Sequence, residues 1–467
     1  MFKSIFSNSF GILISRITGL ARDILMTSAL GANMWSDIFF MAFKFPNLFR
    51  RIFAEGSFTQ SFMPSYIASK QKSVFAIAIF IRFMIFIVAL SLLVTLFPAF
   101  FTKLLAWDWD TELISKTAPL TTINFWYLDL IFIVTFLGTL LQHKEHFFTT
   151  AFSTVWLNIA MIASLLLFSQ SDPKTIVYAL SFSILVGGAF QVLTHLYTIR
   201  QKGLLKILIG GWNYRKTKNV KAEESKFASL FFPSVLGNST AQIASFIDTS
   251  LASFLAAGSV SYLFYANRIF QLPFAIIALA ITTALFPTIA KAIKNENHTL
   301  AYKNLTKSFW LLSALLGISV LGGVLLAEPI IWLLFERGHF TITDTHNTAN
   351  VLMMYMVGLV PFGLAKLFSL YLYAMHKHIK AAKIAAASLI INLIFSLILM
   401  KPMGAAGLAL AGSIGGAVQM ILTIREVGWA IFFDILKTKT TVYFIAGMSI
   451  FGVLFYTLNL YLLNLIR

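Results

Sequence analysis

Apolar residues run along this chain in long stretches, broken by short segments that carry Lys, Arg, Pro or Gly. About 20 residues of α-helix cross a bilayer's hydrocarbon core, so such stretches read as membrane spans. The pattern predicts thirteen, at approximately 5–28, 34–66, 74–101, 119–142, 150–169, 175–199, 227–256, 260–290, 308–335, 346–375, 384–400, 404–424 and 441–465. Several exceed 25 residues, so tilt, kinks or extension beyond the bilayer are expected. The expected class is an all-α polytopic membrane protein.

Composition supports this reading. Of 467 residues, 58% are apolar and only 12% charged. Soluble proteins carry about 25% charged residues. Too little polar surface remains for a soluble enzyme or a disordered chain. The absence of cysteine excludes disulfides, thiolate metal sites and a cysteine nucleophile. The N-terminus lacks a small-residue cleavage pattern and reads as a retained first helix.

The net charge of +18 follows the spans. With the N-terminus in the cytoplasm, 22 of the 36 basic residues fall in cytoplasmic segments, 6 in outer segments and 8 inside spans. That asymmetry is the positive-inside signature and requires no nucleic acid. An odd number of spans puts the C-terminus outside; a fourteenth span would reverse this. The longest connector, with eight basic residues between Arg200 and Lys226, reads as a segment lying beside anionic lipid headgroups.

A weak internal repeat divides the chain. Gly187-Gly188-Ala189-Phe190-Gln191 recurs as Gly415-Gly416-Ala417-Val418-Gln419. His143-Lys144 recurs near His376-Lys377, Asn158 near Asn392, and Ala42-Phe43-Lys44 near Ala266-Asn267-Arg268. The predicted organisation is an N-lobe over 1–200, a basic cytoplasmic linker over 201–225, a C-lobe over 226–427 and an extra C-terminal transmembrane segment over 428–467. Six helices per lobe make the repeats parallel, related by an axis along the membrane normal. Transporters often bind substrate between such repeats and rock them to alternate access.

Eight basic residues lie within spans: Arg16, Arg22, Lys44, Arg50, Arg51, Arg82, Arg268 and Lys366. A charge at the bilayer centre costs about 2.5–3.5 kcal/mol on insertion scales, so such residues pair, snorkel or line a cavity. Five of them fall in the first two spans. Asp37, Lys44 and Arg51 repeat every seven residues, with Glu55 one turn further, and form a polar stripe on a Phe-rich helix. Arginine matches phosphate through a planar fork of donors, which points to an anionic, phosphate-bearing substrate. The competing reading is internal ion pairing, such as Arg22 with Asp23, and it is favoured for Arg82. Asp248, with Asn392 and Ser396, could offer oxygens to a small cation. Asp129 reads as a satisfied polar group in the bundle. His143, His146, His376 and His378 lie at span ends, in no recognisable metal-ligand pattern.

The first two spans carry long motifs. Ser15-Arg16-Ile17-Thr18-Gly19-Leu20-Ala21-Arg22-Asp23 is followed by Asp37-Ile38-Phe39-Phe40-Met41-Ala42-Phe43-Lys44-Phe45-Pro46-Asn47-Leu48-Phe49-Arg50-Arg51-Ile52-Phe53-Ala54-Glu55-Gly56. Further on stand Gly258-Ser259-Val260-Ser261, Tyr265-Ala266-Asn267-Arg268 and Phe335-Glu336-Arg337-Gly338-His339-Phe340-Thr341. Together they resemble the MurJ (MviN) lipid II flippases over nearly the whole chain.

The resemblance implies the fold of the multidrug/oligosaccharidyl-lipid/polysaccharide exporters, in a bacterial inner membrane. It implies lipid II, the undecaprenyl-pyrophosphate-linked peptidoglycan precursor, as substrate, moved from inner to outer leaflet. It places substrate-binding residues at Arg16, Arg22, Asp23, Asp37, Arg50 and Arg268. Asn267 and Gln271 stand where members often carry acids, so a more positive cavity is expected. Some members bind sodium near Asp248 and Asn392; Ser396 replaces an acid expected there, which weighs against sodium. No other cofactor and no partner beyond lipid II and the bilayer are expected, and the chain is read as a monomer. The alternatives are a drug or other lipid-linked oligosaccharide exporter of the same superfamily and, from a different class, an intramembrane polyprenyl-phosphate transferase. Excess arginine argues against the first, and the lack of a convincing carboxylate pair against the second.

Overall fold

A computed structural model describes residues 2–51 and 56–466; for 2–9, 236–241 and 465–466 it describes the backbone alone. The described residues form helices and no strands. Glu55, the end of the predicted polar stripe, lies outside the described residues. The chain divides into two compact units, Met1–Ser250 and Leu251–Arg467.

The first unit contains α1 (Phe2–Leu30), α2 (Met34–Phe49), α3 (Ser57–Ala68), α4 (Lys72–Leu96), α5 (Pro98–Leu105), α6 (Thr111–Phe125), α7 (Tyr127–His143), α8 (Phe148–Leu167), α9 (Pro173–Gln201), α10 (Leu205–Tyr214) and nearly all of α11 (Lys221–Ala252). Short polar side chains start several of them. Asn33 opens α2 with a reciprocal capping box, and Asp110 and Asp172 cap α6 and α9. Proline sets one break: Pro98 begins α5 and splits the span expected at 74–101.

The core of this unit is aromatic. Phe58 and Phe62 of α3 meet Phe132 and Phe136 of α7, with ring centroids 5.4 and 5.8 Å apart. Phe227 and Phe231 of α11 close the same cluster against Phe58 and Phe83. This packing joins the first part of α11 to the first unit, so the compact units divide at Ser250, inside α11. The connector expected at 201–225 contains a helix. Leu205, Ile209 and Trp212 recur at helical spacing and form one apolar side of α10.

The second unit contains α12 (Ser259–Pro273), a π-helical turn over Phe274–Leu279, α13 (Ala280–Lys294), α14 (His298–Leu325), α15 (Ala327–Phe335), α16 (Ile342–Val357), α17 (Leu359–Ala374), α18 (His378–Val427), α19 (Trp429–Leu436) and α20 (Lys439–Ile466). The 50-residue α18 is two helices broken at Gly404, whose φ of 57° and ψ of −137° no other residue type adopts readily, and the second folds back on the first, with Ser388 Oγ donating to the Gly415 carbonyl at 2.7 Å. That break separates the spans expected at 384–400 and 404–424. α20 seats on α14, where Gly317 admits Met448 and Gly322 admits the Phe455 ring. Among the described residues, nine helical stretches are long and apolar enough to cross a membrane.

The repeated glycines have matching roles within their own units. A Cβ on Gly187 would lie 2.7 Å from Leu157 Cα of α8, and one on Gly415 would lie 3.2 Å from Asn392 Cβ. One residue on, Gly188 faces the Tyr127 ring at the start of α7, and Gly416 faces Phe362 near the start of α17. Each pair therefore lets a helix approach two others closely.

Candidate functional site

In the first unit, α1 and α8 share a polar seam. Ser15 Oγ lies 2.5 Å from Thr154 Oγ1. One turn along, Asn158 Nδ2 donates to the Ser15 carbonyl at 3.1 Å and to Thr18 Oγ1 at 3.0 Å. At the next turn Arg22 donates through Nε and NH2 to Asp23 Oδ1, at 3.0 and 2.6 Å, and through NH1 to Asn158 Oδ1 at 3.2 Å. Arg22, Asp23 and Asn158 are all buried. The sequence leaves open whether Arg22 pairs with its neighbour or stands ready for an anion. In this conformation it pairs. The remaining fork nitrogen is held by an amide oxygen, which orients the guanidinium without neutralising it.

Arg16 lies almost two turns before Arg22, on the same helix, and is exposed. In α2, Asp37 is buried near the N-terminus, where a carboxylate complements the helix dipole. Lys44 is half-buried and donates from Nζ to Ser245 Oγ of α11 at 2.7 Å. Asp248, one turn beyond Ser245, and Arg51 act on the Lys44 charge with opposite signs. Arg51 NH1 reaches Gln242 Oε1 at 3.4 Å, and Arg50 is half-buried beside it. Lys44 and Arg51 of the stripe therefore reach the polar residues Ser245 and Gln242 of α11.

Two predicted charges have structural roles. Arg82 NH2 of α4 lies 2.7 Å from Glu224 Oε2 of α11. Asp129 accepts a 2.6 Å hydrogen bond from Ser91 Oγ.

In the second unit, Arg268 is half-buried on α12. Beside it, Gln271 Nε2 donates to Asn267 Oδ1, so two uncharged amides bond along the helix where acids were expected from the family pattern. Lys366 is half-buried on α17. Asn392 and Ser396 are buried on α18, with Ser396 Oγ 3.4 Å from Asn392 Oδ1. Asp248, the third member of the candidate cation set, belongs to the first unit. Among the described residues, no group of three His, Cys, Asp or Glu side chains could hold a metal ion.

Residues 26–465 match the family model described as "Lipid II flippase MurJ". The chain belongs to the MurJ lipid II flippase family. A "Probable lipid II flippase MurJ" of Helicobacter pylori (strain ATCC 700392 / 26695) is 49% identical over 423 residues, covering 88% of this chain and 92% of that one. A solved lipid II flippase MurJ in an inward closed conformation matches with a TM-score of 0.78 at 26% identity, over 98% of this chain and 99% of that one. An inward-facing multidrug resistance MATE family transporter matches with a TM-score of 0.69 at 15% identity, over 93% and 99%, which shows a shared fold.

MurJ membership places the chain among transporters rather than enzymes, as a multi-pass protein of a bacterial inner membrane. It also gives the resemblance read from the motifs a structural context. The Phe335–Thr341 motif leads into α16. There Thr341 and Asp344 form a capping box, Thr345 Oγ1 donates to Glu336 Oε2 at 2.5 Å, and Tyr262 of α12 donates to Asp344 Oδ1 at 2.9 Å. That motif fastens α12 to α16. Sequence reasoning missed Asn158 and Ser245 as partners of membrane cations. Asn158 was visible only as a repeat position, although an amide inside a span already signals an internal partner.

Proposed function

We propose that this chain flips lipid II from the inner to the outer leaflet by alternating access, with arginine side chains binding the substrate pyrophosphate. The observation that carries the proposal is a MurJ family chain whose Arg22 is buried on α1 and held in a defined orientation by Asp23 and Asn158. Burial of this kind is costly unless the group is paired, and it is retained where a charge is needed.

Arg16 and Arg22, with Arg268, are the pyrophosphate ligands in this reading. Asp23 already occupies two donors of Arg22, so an incoming anion exchanges with a carboxylate instead of meeting a bare cation. That exchange limits trapping of the substrate. Asp37 and Arg50 complete the binding set. No coupled cation is needed for drive in this reading. With the N-terminus cytoplasmic and the cell interior negative, outward movement of an anion gains about 2.3 kcal/mol per charge per 100 mV.

The test is a flipping assay in liposomes with purified protein. Arg16→Ala, Arg22→Ala and Arg268→Ala are each expected to lower lipid II translocation at least about tenfold while the protein remains folded. Full translocation by all three variants overturns the assignment of roles.

A further inference from the structure

We propose that a cleft between α10 and the start of α4 binds the phosphate headgroup of an anionic phospholipid, at a site separate from the membrane arginines. The cleft has a volume of about 460 Å³ and is lined by Lys70, Lys72, Ser73, Gly210, Tyr214 and Lys218, among others. Its lining includes three lysines and no carboxylate among the described residues. All three lysines are exposed, as a headgroup site requires.

Local structure adds two features that favour an anion. α4 is 25 residues long, and Gln71 at its N-cap makes no side-chain cap, so its first N–H groups have no acceptor within the helix. Lys72, Ser73 and Val74 of that first turn line the same cleft as Lys70, so the positive end of the helix dipole lies at the cleft. The cleft itself depends on close helix approach. Gly211 of α10 is buried against α4, and a Cβ there would lie 2.1 Å from the Ser73 carbonyl oxygen.

The remaining surface of α10 makes the ligand a lipid. Leu205, Ile209 and Trp212 are exposed in one stripe, 38%, 52% and 52% accessible. A short helix with such a stripe lies at the membrane interface, with its apolar side in the acyl boundary. Tyr214 and Trp212 are typical of that depth, and the Arg215 guanidinium stacks over the Trp212 ring at 3.7 Å. The stripe sets the lysine cleft at headgroup level. There, each lysine near an anionic surface strengthens binding by about fivefold.

The experiment measures binding of a tail-labelled phosphatidylglycerol to the purified full chain in neutral detergent. Unlabelled phosphatidylglycerol is expected to displace it, and phosphatidylcholine and inorganic phosphate at equal concentration are not. The combined Lys70→Gln, Lys72→Gln and Lys218→Gln variant is expected to bind at least about tenfold more weakly. A control variant removes the same charge from the exposed Lys291, Lys294 and Lys303 of the second unit and is expected to bind as the parent does. Equal weakening in both variants would mean diffuse attraction to a basic protein and would overturn the site. Displacement by inorganic phosphate would make it a soluble-anion site and overturn the lipid assignment. Because no membrane arginine is altered, loss of binding here is independent of lipid II translocation.

Discussion

Arg22 and Asn158 stand 136 positions apart in sequence, and the guanidinium NH1 lies 3.2 Å from the amide oxygen. The same amide donates back to α1 at Ser15 and Thr18. One side chain on α8 therefore fixes both the position of α1 and the direction of its arginine. Hydrogen bonds between membrane helices average about 0.6 kcal/mol, whereas bonds to charged groups contribute about 1.5–3 kcal/mol. Asn158→Ala is expected to cost about 1–3 kcal/mol, measured by thermal unfolding in detergent, and to lower lipid II translocation. Thr154→Val, which removes the neutral contacts to Ser15 and to the Ala151 carbonyl, should cost under about 1 kcal/mol and leave translocation near the parent value. Equal effects from the two would refute a special role for the arginine bond.

Asp23 and Arg22 are best separated by a double substitution. Removing one partner of a buried pair leaves an uncompensated charge and costs about 3–5 kcal/mol, whereas removing both can be nearly neutral. Asp23→Asn and Arg22→Met should each destabilise the protein, and the combination should recover much of the loss. Translocation should remain absent in the combination if Arg22 binds pyrophosphate. Recovery of both stability and transport would reduce the pair to a structural device.

The glycine repeat predicts unequal sensitivity in its two copies. A Cβ at Gly187 would be 2.7 Å from the α8 backbone at Leu157, which cannot yield without moving the helix. At Gly415 the nearest contacts are 3.2 Å, including the Asn392 Cβ, where a few tenths of an ångström suffice. Gly187→Ala should therefore cost about 1–3 kcal/mol and Gly415→Ala markedly less. Melting temperatures of the two variants in one detergent check the order.

Much of this arrangement was legible beforehand because bilayer physics imposes a strong pattern. Apolar runs located the nine helical stretches that, among the described residues, are long and apolar enough to cross a membrane, and the long motifs identified the family. Helix breaks were less legible. Pro98 splits one expected span, whereas the break at Gly404 falls between the spans expected at 384–400 and 404–424. Helicity in the basic connector was also missed, because charge dominated the reading of a segment whose Leu205, Ile209 and Trp212 already had helical spacing. Partner choice was the least legible feature. Lys44 and Asp37 share an α2 stripe, yet the ammonium bonds to Ser245, 201 residues away. Spacing along one helix shows which side a charge occupies and leaves open which helix faces it.

That contact gives the last prediction. Lys44 Nζ donates to Ser245 Oγ at 2.7 Å, with Asp248 one turn further along α11 as its opposite charge. Ser245→Ala removes an acceptor from a half-buried ammonium and should destabilise the protein by about 1–3 kcal/mol. If the loss comes from that ammonium, Lys44→Met should make the same serine substitution nearly silent. The coupling in a double-mutant cycle should then be about 1–2 kcal/mol. Asp248→Asn should weaken the parent more than it weakens the Lys44→Met variant, since its carboxylate then has less positive charge to balance. Unfolding curves of the six proteins, taken in one detergent at one ionic strength, decide this. Additive effects would show that the polar residues of α11 support that helix independently of Lys44.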